Sequence, residues 1–126
     1  DLIRELREKQ DTSMILITHD LGVVAETSDQ VAVVYAGEII EYSGKRDLFL
    51  HPLHPYTHGL FDSLPDMAGE GKKLKPITGF PPDPTNLPEG CAFAPRCPRA
   101  SERCRSGRIP MTEVRPGHFC RCCDLK

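Results

Sequence analysis

The sequence predicts an α/β fold on three observations. Strand-sized apolar runs alternate with stretches of helical spacing, two of those runs are joined by a tight turn, and the later helical stretches are bounded by a cap residue or by proline. The resulting order of helix, strand, helix, strand, hairpin strand and helix is that of the end of an α/β domain.

The elements follow in chain order. Leu2, Ile3 and Leu6 recur at helical spacing among Arg4, Glu5, Arg7, Glu8 and Lys9, which predicts an amphipathic helix already under way at residue 1. Met14-Ile15-Leu16-Ile17 is a continuous apolar run that suits a strand buried on both faces of a parallel sheet. It ends at Thr18-His19-Asp20, where Asp20 fits the N-cap of a helix carrying Leu21, Val23, Val24 and Ala25. Val31-Ala32-Val33-Val34-Tyr35 and Ile39-Ile40-Glu41-Tyr42 predict a hairpin around Ala36-Gly37-Glu38, closed by Ser43-Gly44. Short helices are expected from Asp47 to Leu50 and from Tyr56 to Leu64, each bounded by proline. Two or three strands are too few for a free-standing parallel sheet, so the chain reads as the end of a larger domain.

Composition divides the chain. With a formal net charge of -2 overall, residues 1–90 hold 8 Lys/Arg against 15 Asp/Glu, and residues 91–126 hold 8 against 3. All six cysteines lie in that basic tail. Between the two parts, residues 65–90 are rich in Pro and Gly, including Gly69-Glu70-Gly71 and Pro81-Pro82-Asp83-Pro84, and predict an extended connector. With Trp absent, the core is expected to come from Leu, Ile and Val. No apolar run is long enough to span a bilayer, and the polar opening is not a signal peptide.

His19 is the first candidate functional residue. It sits at a strand end before a helix start, where α/β folds place ligand-binding groups, and an imidazole there can donate to a phosphate oxygen. The plain alternative is a half-buried histidine bonded to backbone at the corner. No nucleophile with a placed partner accompanies His19 and Asp20, which argues against a hydrolase built on them. His51, His54 and His58 crowd one segment, but prolines hold it extended and no thiol or carboxylate joins them at ligand spacing, so a rigid structural corner is expected there.

In the tail, Cys91, Cys97, Cys104 and Cys120 give C-x5-C-x6-C-x15-C, with Cys122 and Cys123 beside the last. Three explanations remain open on spacing alone. Disulfides need an oxidising compartment, zinc usually takes closer pairs, and an iron–sulfur cluster accepts wider spacing without matching either ferredoxin run. The surrounding arginines, among them Arg96, Arg99, Arg103, Arg105 and Arg121, would stabilise a negatively charged thiolate centre. Nucleic acid is not expected as a partner, because Phe93 and Phe119 are the tail's only aromatics.

The segment Ile15-Leu16-Ile17-Thr18-His19-Asp20-Leu21, followed by residues 31–44, resembles the switch-histidine region of ABC transporter ATPases. His-Pro-Tyr-Thr at 54–57, with Leu60 and Leu64-Pro65, and the closing Gly90-Cys91-x-Phe93-x-Pro95-Arg96-Cys97 with Pro116-Gly117-His118 resemble the peptide and nickel import branch of that family. The resemblance implies the C-terminal fragment of a P-loop ABC ATPase domain plus a small Cys-rich extension. Residues 1–64 would be the end of the nucleotide-binding domain, 65–90 the connector and 91–126 the metal or iron–sulfur tail. It further implies that His19 contacts the γ-phosphate of MgATP in the intact subunit, and that Cys91, Cys97, Cys104 and Cys120 hold a [4Fe-4S] cluster, with zinc as the alternative metal. The implied partners are a second ATP-binding subunit and transmembrane permease subunits, at the cytoplasmic face of the plasma membrane. No Gly-rich phosphate loop, signature motif or acidic strand-end base occurs in these 126 residues, so the chain alone is expected to be inactive. Two rival classes are a stand-alone Cys-rich iron–sulfur or zinc module and a subunit-docking module whose thiols bind nothing.

Overall fold

The computed structural model describes residues 2–65 and 70–125; Asp1, the connector residues 66–69 and Lys126 lie outside them. Helix α1 (Leu2–Gln10) and helix α2 (Leu21–Thr27) precede a hairpin of β1 (Gln30–Tyr35) and β2 (Glu38–Gly44), then α3 (Lys45–Leu50) and α4 (Pro55–Asp62). From residue 70 to 93 the chain runs without helix or strand. The tail forms a 3-10 turn (Ala94–Arg96), a short helix α5 (Glu102–Arg105) and two strands, β3 (Thr112–Arg115) and β4 (His118–Cys120).

The hairpin forms as its sequence predicts. Ala36 and Gly37 both have positive φ, 50° and 79°, the two-residue turn whose twist matches antiparallel strands. Two further strands that the sequence did not suggest complete the sheet in the order β1-β2-β4-β3, antiparallel throughout. Pro116 and Gly117 (φ 74°) turn β3 into β4 with the residue order of a type II turn.

Two expectations are corrected. The run Met14-Ile15-Leu16-Ile17 is not a strand among the described residues, and Ile15 and Ile17 are 93% and 94% exposed. A strand meant for two-sided burial needs neighbouring strands and layers on both faces, and the four-stranded antiparallel sheet does not include this run. The core is also not purely aliphatic: Leu48, Ile40 and Ile109 are buried, but so are Tyr35, Phe61 and Phe93. Tyr35, Ile40 and Phe93 form its centre, with Tyr56 and Ile77 packed against them. The rings of Tyr35 and Phe93 meet edge-on at 5.3 Å, and those of Tyr56 and Phe93 at 5.5 Å, the tilted geometry aromatic quadrupoles favour. Hairpin, α4, connector and tail thus each contribute to one core. The connector is anchored rather than loose where Ile77 packs: a Cβ added at Gly59 of α4 would lie 2.8 Å from the Ile77 side chain.

Candidate functional site

His19 is exposed at the corner between the apolar run and α2. The Asp20 side chain accepts hydrogen bonds from the backbone N–H groups of Gly22 (3.0 Å) and Val23 (3.3 Å), which is the N-cap its sequence position predicts. Asp20 is thereby occupied as a cap, and the imidazole beside it is left pointing to solvent-accessible space.

The second centre is buried and was not apparent from residue pattern. In the hairpin register Val33 faces Glu41 and Val34 faces Ile39, so Ile40 is an extra residue on β2. This bulge lets two consecutive residues, Ile40 and Glu41, both be buried. The Glu41 carboxylate, 0% exposed, accepts from the backbone N–H of Leu53 (2.9 Å) and His54 (2.8 Å) and bonds His118 Nε2 at 2.5 Å. One carboxylate therefore ties the His-Pro-Tyr segment and the last strand of the tail to the hairpin. A carboxylate can lose water at this depth only because three donors replace it.

His54 belongs to the same node. Its Nδ1 accepts from the backbone N–H of Tyr56 at 3.0 Å and caps α4, with Pro55 at the first helical position. Burial pushes its pKa down to about 4, with Glu41 opposing and Arg99 adding to the shift. His51 and His58 are exposed, so the three histidines of this segment do not converge.

The third centre is a small cavity in the tail. Cys91, Cys97, Cys104, Cys122 and Cys123 all line it, and so does His54. Cys120 does not line it; it pairs with Glu41 across β4 and β2, is fully buried, and has its thiol pKa pushed up by burial and by the Glu41 charge. Burial raises the thiol pKa of Cys91 and Cys97 as well. The sulfurs of Cys104 and Cys123 are 2.8 Å apart. Burial pushes Cys104 up, but the bond from Cys123 and those from Ser101 bring it below the ordinary thiol value. Cys123 is pushed up to about 11 by burial and by that shared bond. Beside the cavity Arg99 pairs with Asp124 at 3.3 Å.

The cavity wall depends on a close backbone approach. Cys91 N–H donates to the Cys104 carbonyl at 2.7 Å, and a Cβ on Gly90 would lie 2.1 Å from that oxygen. Only glycine fits there. As for a metal, the donor set fits in kind, since five thiols line one cavity. Among the described residues no three His, Cys, Asp or Glu side chains already stand at ligating distance, so ligation would require the thiols to draw together around the ion.

Residues 40–104 match the family described as "Oligopeptide/dipeptide transporter, C-terminal region". The chain is 48% identical over 122 residues to the "Oligopeptide transport ATP-binding protein AppD" of Bacillus subtilis (strain 168), covering 97% of this chain and 37% of that protein. It is 46% identical over 121 residues to the "Oligopeptide transport ATP-binding protein OppD" of Escherichia coli (strain K12), covering 96% and 36%. With the "Dipeptide transport ATP-binding protein DppD" of Bacillus subtilis it shares 50% over 104 residues, covering 82% and 31%. The chain thus spans about a third of the length of these relatives. The match from residue 40 to 104 runs from within β2 through α3, α4 and the connector to three cysteines, so a stand-alone Cys-rich module is not supported. The chain belongs to the oligopeptide and dipeptide transporter family, matching the C-terminal region of its ATP-binding proteins.

Proposed function

We propose that this chain supplies the end of the nucleotide-binding domain and the importer-type extension of an ATP-hydrolysing subunit that powers peptide import. The observation that carries the reading is identity of 46–48% along almost the whole chain with proteins named for oligopeptide transport and ATP binding. In the intact subunit His19 contacts the γ-phosphate of MgATP bound between this domain and a second ATP-binding subunit. An exposed imidazole beside a cap that already occupies Asp20 is consistent with that reach. The work is delivered to transmembrane permease subunits, with the ATPase peripheral on the cytoplasmic face. The division into 1–64, 65–90 and 91–126 is one of task, since β4 of the tail pairs with β2 of the first part.

The test is uptake of a labelled peptide by cells whose full-length subunit carries His19→Ala. A lost donor to developing charge should lower peptide uptake and ATP hydrolysis by about a hundredfold, while uptake of free amino acids is unchanged. Unaltered peptide uptake would refute the role of His19. Unaltered uptake after deletion of the whole gene would refute the function.

The tail is further proposed to bind a thiolate-ligated metal centre as a structural staple, a [4Fe-4S] cluster ahead of zinc. Cys91, Cys97 and Cys104 are three of its ligands. Spacing nominates Cys120 as the fourth, whereas Cys122 and Cys123 are the candidates that line the cavity. Such a centre contributes cross-linking to a segment with little core of its own. Anaerobic purification should yield a broad absorption near ~400 nm with about four irons per chain. One zinc in a colourless protein would keep the staple and change the metal; a metal-free, fully folded tail would remove it.

A further inference from the structure

His54 holds an N–H with no hydrogen-bond partner, in the wall of the cysteine cavity. Its Nδ1 accepts from the Tyr56 backbone N–H, so that nitrogen carries no proton and the proton of the ring sits on Nε2. Nε2 is buried with no hydrogen-bond partner, in a side chain only 1% exposed. The Arg121 carbonyl interacts with the ring but does not meet hydrogen-bond geometry. The residue is held on several sides: its backbone N–H donates to Glu41, Nδ1 is bound by the helix it caps, and its ring centroid lies 6.0 Å from that of Phe93. A buried donor so firmly placed, with only the Arg121 carbonyl near it and out of hydrogen-bond geometry, points to a better acceptor that arrives with the occupant of the cavity.

We propose that His54 Nε2–H donates a hydrogen bond to a sulfur of the thiolate-bound centre in the cavity lined by Cys91, Cys97, Cys104 and Cys122. This rests on the metal reading above. His54 is then a positioning residue, orienting a ligand sulfur as outer-sphere donors do. It also gives the His-Pro-Tyr segment a chemical task beyond its cap. Through Glu41, which holds the His54 backbone, the hairpin would set the geometry of the tail's centre. The competing account is that His54 serves only as the N-cap of α4.

Two substitutions separate the accounts. His54→Asn keeps a side-chain acceptor for the Tyr56 N–H and removes the Nε2 donor; His54→Gln restores an N–H near the Nε2 position. The probe is Co²⁺ added anaerobically to the reduced protein, read by the thiolate-to-cobalt absorption and by competition with a chelator. His54→Asn should weaken binding by about 10- to 100-fold and shift the band, with the melting temperature of the metal-free protein little changed. His54→Gln should recover much of the affinity. Wild-type affinity and spectrum in His54→Asn would overturn the proposal. If the wild type takes up no Co²⁺, the metal reading itself fails and this one with it. Should His54→Asn not fold, ¹⁵N-histidine spectra of the wild type decide: the His54 Nε2–H resonance should shift and exchange more slowly with water when Zn²⁺ is added, and an unmoved resonance overturns the proposal.

Discussion

Residues 2–29 and the hairpin with its tail obey opposite rules. The first region has good local signals and almost no burial: α1 buries no residue, and the apolar run after it lies largely in solvent. What holds α1 nearby is polar, an Arg7 guanidinium bonded to the Thr27 carbonyl and to Asp29, both at 2.5 Å. The second region carries weak local signals in its tail, yet its strands, loops and turns close on one another through Glu41, Phe93 and Cys104. The difference teaches that apolar pattern creates a demand for burial, while partners at the right distance decide whether it is met.

Breaking the buried node should give the largest effect. Glu41→Ala leaves His118, also fully buried, and two backbone N–H groups without their acceptor, and should cost about 3–5 kcal/mol in urea unfolding of the chain. A loss under about 1 kcal/mol would show that the node is not a keystone. Gly90→Ala should come next. Its Cβ cannot share space with the Cys104 carbonyl, so the Cys91–Cys104 backbone bond must open, at a cost of about 3 kcal/mol. Protease resistance of the tail should fall before that of the hairpin.

A pH titration sharpens the comparison through His54. Its folded-state pKa of about 4 lies below the unfolded value of 6.5, so the unfolded chain binds the extra proton first. Its contribution is complete above pH 6.5, and stability falls as pH drops from 6.5 to 4, by up to about 3 kcal/mol. His54→Asn should flatten that part of the stability profile; an identical slope in both proteins would assign the loss to other groups. The smallest effect should come from the exposed run. Ile15→Ser with Ile17→Ser should change the stability of this chain by less than about 0.5 kcal/mol. A loss of 2 kcal/mol or more would mean that these side chains are buried in solution.

How far the residues alone led depends on the range of the interaction. The Asp20 cap, the Ala36-Gly37 turn, and helices α3 and α4 were all legible, because each is decided within a few residues. The His-Pro-Tyr resemblance was legible too, and the family match over residues 40–104 agrees with it. The tail's strands were not, since Thr112–Arg115 is exposed throughout and His118–Cys120 is only three residues long. The bulge at Ile40 was equally hidden. Without it, alternation assigns Ile40 and Glu41 to opposite faces, and no rule of period two makes both buried. The spacing that nominated Cys120 could not register that β4 would carry this residue to Glu41 and leave Cys122 in the cavity wall.

By itself, then, the sequence determined the family, the acidic and basic halves, the caps and the hairpin. It also placed the cysteines in one short tail, because composition and contacts between near neighbours need no knowledge of the rest of the chain. Tertiary structure alone decided which polar groups lose water. Glu41 and His118 are 77 positions apart, and Arg96 reaches Tyr35 across 61. Such pairs form only when the whole sheet is assembled. Desolvation then turns an ordinary surface-type glutamate into the acceptor that holds hairpin, His-Pro-Tyr segment and tail together.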